Sequence, residues 1–179
     1  MYKSLSMWNA KCYNRHGKLV WSEVQRPNLL HKEGEVYILS SAFATDLEGY
    51  GPAAPALYIG MDNRDVLRIG DTLARVVESE PHSAAYQRLA VQTSGGFMPF
   101  WTEAEEESDP SIFTISAAVE FVAEGADIER VSKFFLTTAP AGINGKLILS
   151  NAMKRGHTLY ESYRLTVEII LNLRKKVAI

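Results

Sequence analysis

The chain has a single cysteine, Cys12. No internal disulfide can form, and a thiolate metal site would have to draw its other ligands from elsewhere. No run of about eighteen apolar residues occurs, and the N-terminal MYKSLSMWNAKCYNRHG has no apolar stretch of signal-peptide length. The expectation is a protein assembled in the cytosol that neither spans a membrane nor leaves by a signal-peptide route. A basic block is missing as well, since 19 Lys and Arg face 21 Asp and Glu. A net charge of −2 offers phosphate backbones no long-range attraction, which argues against nucleic acid as the main partner. Arg174, Lys175 and Lys176 read as a soluble tail.

Catalytic signatures are absent too. His16, His31, His82 and His157 are far apart, with no H-x-x-x-H or H-E-x-x-H spacing to set two ligands on one helical face. Surface or helix-cap positions are expected for them. The chain contains no G-x-S-x-G elbow, Walker loop or G-x-G-x-x-G fingerprint. An enzyme would need a site assembled from distant Ser, His and Asp residues, and no pattern names one. The expectation is a protein that is not an enzyme, with no catalytic residues, cofactor or metal. Cys12 shares a strand face with Ser6, Trp8 and Ala10, where a free thiol behaves as a small apolar group.

What the chain does have is strand signal. In YRLTVEIILNL, Tyr163, Leu165, Val167, Ile169, Leu171 and Leu173 fall on one side of an extended chain, while Arg164, Thr166, Glu168 and Asn172 fall on the other. Such a strand needs a second layer over its apolar face, so 163–173 is expected as a central strand of a sandwich. At 179 residues with 46% apolar content, the chain fits one domain that buries about 70% of its unfolded surface.

The remaining elements follow in order. Residues 5–24 predict a hairpin turning at Asn14-Arg15-His16-Gly17, with Trp8 and Trp21 placed to pair across it. Pro27 and Asn28 end its second strand, with Asn28 as the N-cap of a helix over about 29–44. In that helix Leu29, Leu30, Val36, Tyr37, Ile38, Leu39 and Phe43 would lie on a sheet, with Lys32, Glu33 and Glu35 toward water. A Gly/Pro loop spans 45–56, a buried strand 57–61, and a short helix capped by Asp71 or Thr72 runs through Val77. Further strands are expected at 86–92, 112–123, 131–138 and 147–153, with a type I′ turn at Asn144-Gly145. The whole predicts a mainly β fold, a single antiparallel β-sandwich, jelly-roll-like, with one or two short helices.

Contact residues are sought among exposed aromatics. Phe97, Met98, Phe100 and Trp101 surround Pro99, which predicts an irregular aromatic plug or an exposed contact patch, and Tyr50 sits in the Gly/Pro loop. The acidic run from Glu103 to Asp109 is expected as a solvated loop and lacks the ligand alternation of an EF-hand. A carbohydrate-binding sandwich is an alternative reading, with Trp101 stacking on a sugar beside those carboxylates.

Several segments carry a resemblance. Asn14-Arg15-His16-Gly17-Lys18-Leu19-Val20-Trp21, then Arg26-Pro27-Asn28-Leu29-Leu30 and Glu33-Gly34, resemble the opening of small tailed-bacteriophage virion proteins. Leu57-Tyr58-Ile59-Gly60-Met61 is similar to their "LYxGL" strand, and Ala85-Tyr86-Gln87-Arg88-Leu89-Ala90-Val91 to their "GYxRxxV" strand, with Ala85 in place of the glycine. Lys133 to Thr138, Gly145 to Ile148 and the last strand match in order as well. The resemblance implies a β-rich, non-enzymatic virion component of the head, neck, collar or tail. Of these, a capsid decoration or cement protein is the first expectation, and a neck, collar or tail component the alternative. Its partners would be itself, as a homo-oligomer, and other virion proteins such as the major capsid or connector protein.

Overall fold

The computed structural model describes residues 6–43, 56–92, 98–102 and 112–173. The N-terminal hairpin is β1 (Met7–Tyr13) and β2 (Leu19–Pro27). It reverses where Gly17 takes a φ of 74°, which a side chain would resist, and where Asn14 Oδ1 accepts from the backbone N–H of His16 and Lys18. After it come the two-residue β3 (Leu29–Leu30) and α1 (Lys32–Phe43). The chain continues through β4 (Ala56–Asp62), α2 (Leu73–Val77), β5 (Leu89–Gln92) and β6 (Met98–Thr102). The long strands β7 (Ile112–Val122), β8 (Ile128–Thr137), β9 (Leu147–Leu159) and β10 (Arg164–Leu173) complete it.

These strands form two five-stranded antiparallel sheets, β2-β1-β10-β7-β6 and β3-β9-β8-β4-β5, here called sheets A and B. The fold is a mainly β sandwich with two short helices. β10 is central, as its alternation requires. Leu165, Val167 and Ile169 lie opposite Cys12, Ala10 and Trp8 on one side, and opposite Phe121, Val119 and Ala117 on the other. Seven of these nine side chains have under 4% exposure; Ala117 is also buried and Val119 partly so. Sheet B supplies Ile59, Met61, Phe134, Leu136 and Leu149, and Trp8 stacks on Phe134 across the interface at 5.8 Å. Two layers thus close over one dry core.

Several local expectations are corrected. Trp8 and Trp21 do not pair: Trp8 lies opposite Arg26, and Trp21 lies opposite Cys12 and stacks on His157 at 4.1 Å. Asn28 caps no helix, because Leu29 and Leu30 first pair with Ser150 and Leu149, and α1 begins only at Lys32. Val36, Ile38 and Leu39 face solvent rather than the sheet. The face turned to the sheet is instead made by Tyr37, which packs on the core as expected, and Gly34, where a Cβ would collide with the Ile148 carbonyl oxygen. Only glycine lets the helix approach so closely.

The 86–92 strand begins at Leu89, since Tyr86 and Arg88 are held in a polar cluster before it. The expected 112–123 strand is β7 and ends one residue earlier, at Val122. Between β8 and β9, positive φ falls on Gly142 and not on Asn144 or Gly145, so the loop is not a type I′ hairpin. Met98–Thr102 forms a regular strand, not an irregular plug; as the edge strand of sheet A it can hold Pro99 without breaking a central ladder.

Candidate functional site

Among the described residues, the buried charged side chains gather on the outer face of sheet B. The ladder places Asp62, Lys133 and Ala152 in one row, and Gly60, Phe135 and Ser150 in the next. Residues 63–80 cross that face, and α2 settles Leu73 and Val76 onto Phe135, Ala139 and Leu147. Arg64 fastens the crossing. Its Nε and Nη2 donate to both oxygens of Asp62 at 3.0 Å, Nη1 donates to Asp71 Oδ2 at 3.0 Å, and Nη2 also reaches Ser150 Oγ at 3.0 Å. The planar guanidinium suits such a bidentate grip, and each charge would be costly alone in this buried place.

Ser150 also meets His31, Oγ to Nε2 at 2.8 Å, with both residues fully buried. His31 is thus neither a surface nor a solvent-facing cap histidine, though its carbonyl accepts from Glu35 N in the first turn of α1. Burial first, and the Arg64 charge next, hold its pKa below that of a free histidine, so the ring is neutral near pH 7. With Arg64 donating to Ser150, the hydroxyl is free to donate its proton to Nε2. A serine donating to a histidine has the form of a hydrolytic pair, yet neither residue is open to a substrate, and Arg64 holds the serine oxygen. The pair joins α1 to β9.

Glu33, expected in water, is a second joint. Its Oε2 accepts from Leu73 N at 3.1 Å and from Leu147 N at 2.8 Å, so it caps α2 from forty positions away in sequence. Thr72, the N-cap by position, makes no side-chain cap bond. A third cluster holds the β8–β9 loop: Arg88 pairs with both oxygens of Glu80, donates to the Ala139 and Gly142 carbonyls and lies 5.3 Å over the Phe135 ring. Tyr86 donates to Glu80 at 2.6 Å, and burial followed by that carboxylate pushes its pKa far up. Tyr86 and Arg88 therefore serve a buried joint.

Beside the Arg64 cluster opens a cleft of about 470 Å³, walled by residues 63–67, by Ser132 and Lys133 of β8, and by 152–156 of β9. On the far side of β9, Trp21 stacks on His157 and Glu23 accepts from Lys154 N, closing the β2 edge of sheet A against this strand.

Of the residues singled out in the sequence, Cys12 is buried in the core and burial lifts its thiol to about 11, which leaves negligible thiolate at neutral pH. Phe97 and Tyr50 lie outside the described residues, as do Glu103 to Asp109 and Arg174 to Lys176. Met98, Phe100 and Trp101 are placed in edge strand β6, and the described side chains do not include theirs. Arg64, Asp62, Asp71, Glu33, Arg88, Glu80 and Lys133 were not singled out as site residues. The only signal for them was charge set inside or beside short apolar elements. Among the described residues no group of three or more His, Cys, Asp or Glu is placed to hold a metal, and no helix is long and apolar enough to cross a membrane. No protein-family model, curated protein or solved structure matches the chain.

Proposed function

We propose that this protein is a non-enzymatic structural component of a tailed-bacteriophage particle, a capsid decoration or cement protein that works by repeated contacts with copies of itself and with shell proteins. The observation that carries the reading, beside the sequence resemblance, is the outer edge of sheet A. β2 pairs only with β1, and Leu19, Val20 and Val24 on it are 48%, 50% and 55% exposed. An edge strand with exposed apolar side chains offers contact area to a neighbouring chain, even though Trp21 and Glu23 already tie part of β2 to β9. The exposed Val36, Ile38 and Leu39 of α1 provide apolar contact area on another element. The reading is further supported by the burial of the His31–Ser150 pair and of Cys12, which leaves these groups out of reach of a substrate.

Light scattering behind a sizing column, combined with binding to undecorated capsids, tests this. The expected result is a trimer, or a monomer that binds capsids in fixed stoichiometry, with Val20→Lys/Val24→Lys abolishing assembly while leaving the fold intact. Trp101→Ala is expected to fold normally and to lose particle binding. A ring of six or twelve moves the assignment to the neck or tail, because closed oligomers match the symmetry they sit on. Binding of a glycan array by a protein that ignores capsids would overturn the structural role.

A further inference from the structure

We propose that the cleft beside Arg64 is a binding site for an oxyanion, a carboxylate or a phosphate, gripped by Lys133, Lys154 and Arg155. The cleft exists because the β8–β9 ladder breaks there. Lys133 pairs with Ala152 and Val131 with His157, so Ser132 alone on β8 faces Met153, Lys154, Arg155 and Gly156 on β9. A second register shift adjoins it between Ile128 and Val131, where Arg130 has a φ of 56°. Bulges of this kind re-aim side chains beside functional sites. The β9 excursion is anchored, since the Glu23 carboxylate accepts from Lys154 N at 2.9 Å through both oxygens.

Lys133 lines this space with only 5% of its surface exposed. Its Nζ donates to Ser132 Oγ at 3.0 Å and forms no ion pair among the described residues. An ammonium has three N–H donors, and a buried charge left with one neutral partner is costly. The carboxylates nearby do not meet that need: Asp62 is committed to Arg64 through both oxygens, and Asp65 on the wall makes no bond to Lys133. Burial pulls the Lys133 pKa down, with Asp62 and, less, Asp65 acting the other way. Lys154 and Arg155 stand exposed at the rim, so an anion arriving there meets three cations against the single wall carboxylate of Asp65. A free phosphate and a carboxylate borne on a protein chain share the chemistry that this donor set recognises.

The full-length protein, titrated at low salt with inorganic phosphate and with a hexaglutamate peptide, tests the site by calorimetry and by NMR of the Lys133 side chain. At least one probe is expected to bind one-to-one and to shift the Lys133 signals, with Lys133→Met weakening it at least about tenfold through loss of a charge-assisted bond. Tighter phosphate binding identifies a free oxyanion as the occupant; tighter hexaglutamate binding identifies a chain-borne carboxylate. Lys154→Ala/Arg155→Ala, confined to the exposed rim, provides a second measurement independent of the folding of Lys133→Met, and is expected to weaken binding several-fold. Absence of saturable binding by either probe, or equal affinity in both variants, overturns the proposal.

Discussion

Sheet B buries both of its faces, by opposite means. Its inner face sets Ile59, Met61, Phe134, Leu136 and Leu149 against sheet A, with no charge among them. Its outer face, under α1 and residues 63–80, sets Asp62, Arg64, Asp71, His31 and Ser150 into one hydrogen-bonded cluster, equally shut from water. The inner face is held by area removed from water, which is non-directional and tolerant of many apolar combinations. The outer face is held by directional bonds, each of which fixes where a non-repetitive stretch of chain must lie. It therefore specifies a position more than it contributes stability.

The two faces can be told apart by breaking each. Phe134→Ala removes the partner of Trp8 and is expected to cost about 3–5 kcal/mol in chemical denaturation, with no second substitution restoring it except one that refills the volume. Arg64→Met leaves Asp62 buried without its cation and Asp71 with only the half-exposed Arg75 at 3.5 Å, and is expected to cost a similar amount, about 3–5 kcal/mol. Here a rescue exists: adding Asp62→Asn and Asp71→Asn to Arg64→Met is expected to recover part of the loss, and a strictly additive triple variant would count against a coupled cluster.

Gly34→Ala tests the seat of α1. Its Cβ would meet the Ile148 backbone, which cannot swing aside, so a loss of about 1–3 kcal/mol is expected in thermal unfolding, despite the better helix propensity of alanine.

Smaller still is the pH response. His31 titrates below an ordinary histidine in the folded protein, so the unfolded chain takes up its proton first as pH falls. Stability is then full above about pH 6.5 and declines as pH drops below it. His157 is displaced in the same direction, by burial and then Arg155. The His31→Gln variant should therefore flatten the slope of stability against pH below about 6.5 only in part, and an unchanged slope would remove His31 from the account. Cys12 should resist alkylation in the folded protein at neutral pH and react once unfolded, and fast native labelling would show that the core opens locally.

The inner face was legible in the sequence because alternation is a local property. Leu165, Val167 and Ile169, or Trp8, Ala10 and Cys12, declare their side by spacing two apart, and every strand expected from 57 onward has its counterpart, with shifted ends. The outer face was not legible. Nothing near Glu33 announces that its carboxylate will cap α2, and nothing near Asp62 announces Arg64 wrapped back upon it with Ser150 behind. The helix apolar residues misled for the same reason. A row of Val36, Ile38 and Leu39 implies burial only if it lies on the side turned to the sheet, and Gly34 and Tyr37 take that side instead.

The sequence by itself thus determined the sandwich, its central strand and its buried thiol, since period-two patterning fixes which side of each strand must leave water. Only the tertiary structure decided where the charges meet, how the β8–β9 ladder breaks to open a cleft at Lys133, and which apolar side chains stay exposed. Those outcomes depend on how segments far apart in the chain are laid over one another, and a charged residue carries no local mark of the partner that will neutralise it, even when, as for Asp62 and Arg64, that partner is close in sequence.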